Sequence, residues 1–295
     1  MIKQVGKSAL WGILYISCSS FGGTVAVLYY IFTNLDIFQL DAEMFFDQFF
    51  PLILRSTVPA TFISSILCII AYLVYRKAIH APSELKSVTF SQAVFCFALG
   101  AVFNLLVSYV LEFFWGLFPE DWIESATTAT ALLDTDFHWL FLLLSVGIAT
   151  PMAEEVIFRH GFCRTLSKGN VSLSIILSAL IFGIAHGNWI QGTYTFILGL
   201  MCAIVLLNTD NLWYPILIHM GLNVTTVISN AVPESFGELT LIVCGFVGLL
   251  ICSTMLIHKE DMRAMLAKPD MVPALEKETL SMEDIPLEDL EQRVE

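Results

Sequence analysis

Eight apolar stretches run along this chain, near 8–32, 51–75, 90–118, 138–166, 171–187, 194–208, 212–232 and 238–258, with short polar breaks between them. A helix crosses about 30 Å of hydrocarbon with about 20 residues at about 1.5 Å each. The pattern therefore predicts an all-α fold, a polytopic transmembrane helical bundle of about eight spans. The fifth and sixth runs are short for spanning helices, which predicts local thinning of the bilayer or ends buried against protein.

Composition agrees with a lipid environment. Hydrophobic residues make up 57% of the chain, charged residues 14%, and the mean hydropathy is +0.76, far from the range of a soluble domain. Lys3 and Lys7 precede the first run, Arg76, Lys77 and Lys86 follow the second, and Arg164 and Lys168 follow the fourth. The alternate connections carry Asp36, Asp41, Glu43 and Asp47, then Glu120, Asp121, Glu124, Asp134 and Asp136. Basic loops stay in the cytoplasm, so both termini are expected there, in a protein of the cell membrane. No cleavable signal peptide is indicated, since the first run is too long for one, and Leu14 to Cys18 only weakly resembles a lipoprotein box.

The formal charge of −13 gathers in the outer connections and in the segment after Lys259. The chain thus divides into a transmembrane helical domain, 1–258, and an acidic cytoplasmic tail, 259–295, expected to be flexible, with a short helix near 283–293 and a docking partner as further readings. Nucleic acid is not an expected partner, because no basic stripe exists. The seven cysteines sit in or beside apolar runs without CxxC spacing and read as packing residues.

Ionisable and amide groups inside these runs change the picture. Glu154, Glu155 and Arg159 lie in the fourth, His186 at the end of the fifth, and His219 with Asn223 in the seventh. An ionisable side chain at the centre of a bilayer costs about 2.5–3.5 kcal/mol, so such residues mark function by default. The turn from Ser167 to Asn170 makes the fourth and fifth helices antiparallel. Glu154 and His186 then lie roughly 21 and 26 Å from it along the axes and can face each other. His219 and Asn223, at i and i+4, share one face at a compatible depth. On the fourth helix Glu155 and Arg159 can pair, leaving Glu154 free to meet water or substrate. Pro151 interrupts the ladder one turn earlier, and Gly183 and Gly187 bracket His186 in a pattern that admits a close helix crossing.

Taken singly, an intramembrane histidine or asparagine is often only interhelical glue. Together the four groups supply a general base, a proton partner and oxyanion donors, the set needed for attack of water on an amide. Other polar residues carry less. His160 reads as an interfacial contact, Arg55 as a side chain that snorkels to the surface, and Glu112 as lining a cavity or approaching Arg159. Asn170 and Asn223 are poor glycosylation acceptors for their position, and Trp139, Trp189, Trp213 and Tyr214 fit an interfacial belt.

Glu154-Glu155-Val156-Ile157-Phe158-Arg159, Phe182-Gly183-Ile184-Ala185-His186 and His219-Met220-Gly221-Leu222-Asn223 resemble, in order, the EExxxR, FxxxH and HxxxN motifs of the CAAX-processing and bacteriocin-processing (CPBP) intramembrane proteases, of the type II CAAX prenyl endopeptidase kind. The resemblance covers a core at 138–232. It implies a cavity open towards the cytoplasm in which Glu154 activates water with help from His186, His219 and Asn223 stabilise the oxyanion, and Glu155, Arg159 and Phe182 give structural support. The substrate it implies is a prenylated CAAX-type protein or a small hydrophobic peptide at the membrane lipid.

Glu154, His186 and His219 are also residue types that bind zinc, but the HExxH spacing of common zinc peptidases is absent, so no metal cofactor is the favoured expectation. Two other classes compete. One is a non-proteolytic membrane scaffold or bacteriocin-immunity protein on the same fold. The other is a transporter, for which no pair of broken-helix repeats is evident.

Overall fold

The computed structural model describes residues 2–39, 42–80, 83–131 and 137–258. Among them every regular element is helical: α1 (Ile2–Thr33), α2 (Ala42–Ala78), α3 (Phe90–Phe114), α4 (Glu120–Ala131), α5 (Trp139–Ser167), α6 (Val171–Ile184), α7 (Trp189–Thr209), α8 (Trp213–Ala231) and α9 (Glu234–His258), with short 3-10 turns at Leu35–Gln39 and Trp115–Leu117. Six of these helices are long and apolar enough to cross a membrane. The acidic tail 259–295 and its expected helix lie outside the described residues.

Eight helices coincide with the eight apolar runs, with two departures. The sixth run is not short: α7 begins at Trp189 and has 21 residues. Asn188 starts it by accepting from the Gln191 backbone N–H at 2.7 Å, a side-chain cap that satisfies a donor the helix cannot. Gln191, Gly192 and Thr193, which interrupt the apolar run, are therefore helical. The acidic connection after the third run also folds, as α4, with Glu120 and Asp121 in its first turn, where acid complements the helix dipole. Trp122 stacks on Trp189 at 5.8 Å and docks α4 on the start of α7.

Helix α5 is the axis of the bundle, packed by α1, α2, α6, α7 and α8. It is continuous but irregular, with π-helical turns over Leu143–Ala149 and Val156–Arg164. Pro151 has no N–H to give. In the wide register the Thr150 N–H reaches the Ser145 carbonyl, and the next bond, from residue 151 to Val146, cannot form. The helix thus keeps its direction while one deep carbonyl is left for another donor.

Two glycines set the position of α8. A Cβ on Gly100 would stand 1.8 Å from the Ile218 carbonyl oxygen, and one on Gly221 would stand 2.0 Å from that of Phe97. The backbones of α3 and α8 therefore meet directly, as small residues allow between membrane helices. Gly183 does the same for α6 against α7, its Cβ position lying 2.6 Å from the Gly192 carbonyl oxygen. Gly187 differs from expectation: its φ of 75° makes it the turn after α6 rather than part of a crossing, a conformation that favours glycine.

At the basic end, the segment before α3 is tied across the bundle. Glu84, 5% exposed, accepts from Arg76 at 2.8 Å and pairs with Arg164 at 3.2 Å and His160 at 2.6 Å. Arg164 also reaches Asp210 at 2.6 Å, and the Leu212 N–H donates to the Glu84 carbonyl. Burial alone would raise the Glu84 carboxyl, but the hydrogen bond and charge of His160, with Arg164 and Arg76, outweigh it and hold the group below its usual range. All seven cysteines are unpaired thiols, six of them buried. Tyr214 is core rather than belt, at 7% exposure, whereas Trp139 and Trp189 are exposed near helix ends.

Gly221→Ala is expected to lower stability by about 1–3 kcal/mol, since the methyl meets backbone that cannot turn away; thermal unfolding in detergent measures it. Because the folded Glu84 carboxyl titrates below its unfolded value, its stabilisation is present above the ordinary carboxyl range and lost as pH falls through the lowered value. Melting temperature against pH should lose that acid-side component in Glu84→Gln.

Candidate active site

Glu155 is the centre of the polar layer. It and Arg159 are wholly buried, with Arg159 Nε 2.8 Å from Glu155 Oε2, the i, i+4 pair expected from the sequence. The second carboxylate oxygen, Oε1, lies 3.0 Å from Nδ1 of His219 on α8. A carboxylate only accepts, so Nδ1 carries the proton and Nε2 is aimed the other way. There it faces Glu154, 3.6 Å from Oε2, beyond hydrogen-bond length. Two adjacent glutamates thus hold opposite sides of one imidazole, one fixing it and the other confronting it. The Glu155 to His219 contact crosses between helices distant in sequence, and nothing in the motif spacing announces it.

Phe182 assembles the rest. Its ring meets His186 edge-on at 4.9 Å and His219 at 5.6 Å, with Phe158 at 5.0 Å, and the Arg159 guanidinium lies over its face at 4.8 Å, a cation–π contact away from water. The Phe182 carbonyl accepts from His186 Nδ1 at 2.9 Å, which leaves the His186 Nε2 lone pair free for the site. The His186 ring is placed by the last turn of α6, where Gly187 reverses the chain.

Asn223 donates from Nδ2 to the Val146 carbonyl at 2.9 Å. That carbonyl is the one Pro151 leaves without a donor, so two residues that the sequence presents as separate signals answer each other. One amide N–H is committed to this bond, and the second N–H and Oδ1 remain.

Glu154 has 13% of its side chain exposed, towards a cavity of about 130 Å³ between α1, α2 and α5 whose lining includes Tyr15, Ser64, Ser65, Cys68 and Thr150. The hydroxyls make this the polar side of the site, and the sequence carries no sign that α1 and α2 contribute it. Glu112 does not approach Arg159, being exposed on α3 while Arg159 is enclosed. His160 is a contact within the basic end, as above. Among the described residues no three His, Cys, Asp or Glu side chains are grouped closely enough to hold a metal ion.

Helices of this length and apolarity define an integral membrane protein, and a buried layer of carboxylates and imidazoles lies within it. Residues 136–225 match the family model described as type II CAAX prenyl endopeptidase Rce1-like, so the resemblance first read from three motifs holds over the segment that carries all of them. Over 111 residues the chain is 30% identical to a protein of Bacillus subtilis (strain 168) named "Putative membrane peptidase YdiL", covering 37% of this chain and 45% of that relative. The match thus spans less than half of the relative's length. No solved structure matches.

Asn223→Ala is expected to cost about 1–3 kcal/mol by stranding the Val146 carbonyl. Pro151→Ala in that background restores an N–H to the same oxygen and should recover part of the loss, a coupling that thermal unfolding of the four variants in a double-mutant cycle would measure.

Proposed function

We propose that this protein is an intramembrane endopeptidase that cleaves a prenylated CAAX-type or small hydrophobic peptide by means of a water activated by Glu154. The single observation that carries the reading is the His219 ring held between Glu155 and Glu154 beside a polar cavity. The similarity of residues 136–225 to a type II CAAX prenyl endopeptidase family supports the substrate class. The basic loops face the cytoplasm of a cell membrane in this reading, and substrate reaches the site from there.

The residues divide the work as follows. Glu154 takes a proton from water, while His186 Nε2 accepts the second hydrogen bond and orients the oxygen for attack on the peptide carbonyl. The tetrahedral oxyanion is met by His219 Nε2–H, which requires the doubly protonated ring with Nδ1–H still on Glu155, and by the uncommitted N–H of Asn223. Glu154 then returns its proton to the departing amine. Removal from water strengthens each of these interactions, because a low dielectric screens charge poorly. No step is routed through a metal.

With purified protein and hydrophobic or prenylated reporter peptides, Glu154→Gln is expected to lower kcat by about 10²–10⁴-fold, the usual range for loss of a general base. Chelation should leave the wild-type rate unchanged. Cleavage that survives Glu154→Gln would sink the peptidase reading in favour of a scaffold, and loss on chelation that zinc restores would sink the metal-free mechanism.

A further inference from the structure

Between the cavity at Glu154 and the basic end of the bundle lies a buried layer of rings with its own fastening. On α1, Trp11 lies one turn below Tyr15; on α2, Tyr72 lies one turn below Cys68; on α5, His160 lies below Glu154. Tyr15, Cys68 and Glu154 line the cavity. Trp11, Tyr72 and His160 form the layer beneath it. His160 meets Trp11 edge-on at 5.0 Å and Tyr72 at 5.1 Å, and Tyr75 adds a further ring at 5.3 Å from Trp11. Trp11 and Tyr72 are 8% and 2% exposed, and Trp11 seats against Gly161, where a Cβ would stand 2.6 Å from its Cγ.

On its far side His160 has a charged partner: Nδ1 holds Glu84 Oε2 at 2.6 Å. Glu84 in turn bridges Arg76 on α2 and Arg164 on α5. The same carboxylate therefore closes α2 onto α5 and pins the imidazole that completes the aromatic layer.

We infer that Glu84 is a latch: its contact with His160 holds the Trp11, Tyr72 and His160 rings across the path between the Glu154 cavity and the basic end, and release of Glu84 opens that path. The structure is then the closed form, and water or a peptide segment gains Glu154 between α1, α2 and α5 when Glu84 lets go. The inference rests on the peptidase reading only for what passes through the opening. The latch itself is a statement about access. The Glu84 carboxylate is suited to the role because it sits outside the layer of Glu154, His186 and His219, and its loss removes no group that touches the reacting atoms.

The test uses Cys68 as the reporter in the full chain reconstituted in bilayer discs. A small cationic methanethiosulfonate reagent is added, and modification is followed by peptide mass spectrometry. Cys68, at 1% exposure in the closed form, should react at least tenfold faster in Glu84→Gln than in wild type. Cys202, fully buried and close to the Pro215 carbonyl, should not change. Trp11→Ala, which opens the layer while leaving Glu84 on its partners, is expected to give the same result if Glu84→Gln does not fold. Cys68 unmoved in a folded Glu84→Gln, or in Trp11→Ala where Glu84→Gln does not fold, or Cys68 and Cys202 rising together as in general loosening, would overturn the latch. Faster Cys68 modification without any Glu154-dependent cleavage would sink the peptidase reading and leave the latch standing. Glu154-dependent cleavage with Cys68 unmoved would do the reverse.

Discussion

Deep in a membrane protein no water is at hand to satisfy a polar group, so each must be answered by another side chain or by backbone. Glu155 is where that requirement bears most of the structure. Wholly buried, it takes Arg159 on one oxygen and His219 on the other, and so joins α5 to α8 at the depth of the site. Burying an ion pair is not in itself stabilising, because desolvation offsets the attraction unless the geometry is good and the remaining donors are met. Here the imidazole takes Oε1 and the Phe182 ring lies under Arg159, while both terminal nitrogens of the guanidinium are buried without a hydrogen-bond partner. The consequence is orientation: His219 can turn only one edge to Glu154.

The same rule explains why α5 is irregular. A proline in a deep helix removes a donor, and a regular helix would kink around it. The wide turns over Leu143–Ala149 absorb the defect, and Asn223 supplies the missing donor to Val146. Wide turns of this kind occur often at functional sites, and this one puts a second α8 side chain in register with α5. His219 and Asn223 are thus held by two separate devices, a carboxylate and a vacated carbonyl, one turn apart.

Much of this was legible beforehand. The eight apolar runs located eight helices because hydrocarbon demands long uninterrupted segments. The spacing of Glu155 and Arg159 foretold their pair because i, i+4 neighbours share a face. Where the reading missed, the cause was local. The start of α7 was hidden because Gln191, Gly192 and Thr193 lower its apolarity, although the Asn188 cap makes the helix begin there. The acid-rich stretch at 120–131 looked like a connection because charge is a weak guide to helix formation outside the lipid. Gly187 was assigned to a crossing because spacing does not show which side of a helix end a glycine falls on.

What the sequence by itself determined is the set of groups and their depth: an apolar chain must cross the membrane in helices, and the rise per residue places Glu154, His186 and His219 in one layer. Which atoms meet within that layer was decided only by the tertiary structure, through the glycine crossings that bring α8 against α3, the Phe182 ring shared by two histidines, and the polar cavity contributed by α1 and α2. Depth along a helix is local geometry and can be counted. Contact across helices depends on rotation about each axis, which is set by packing between distant segments and leaves no period in the chain.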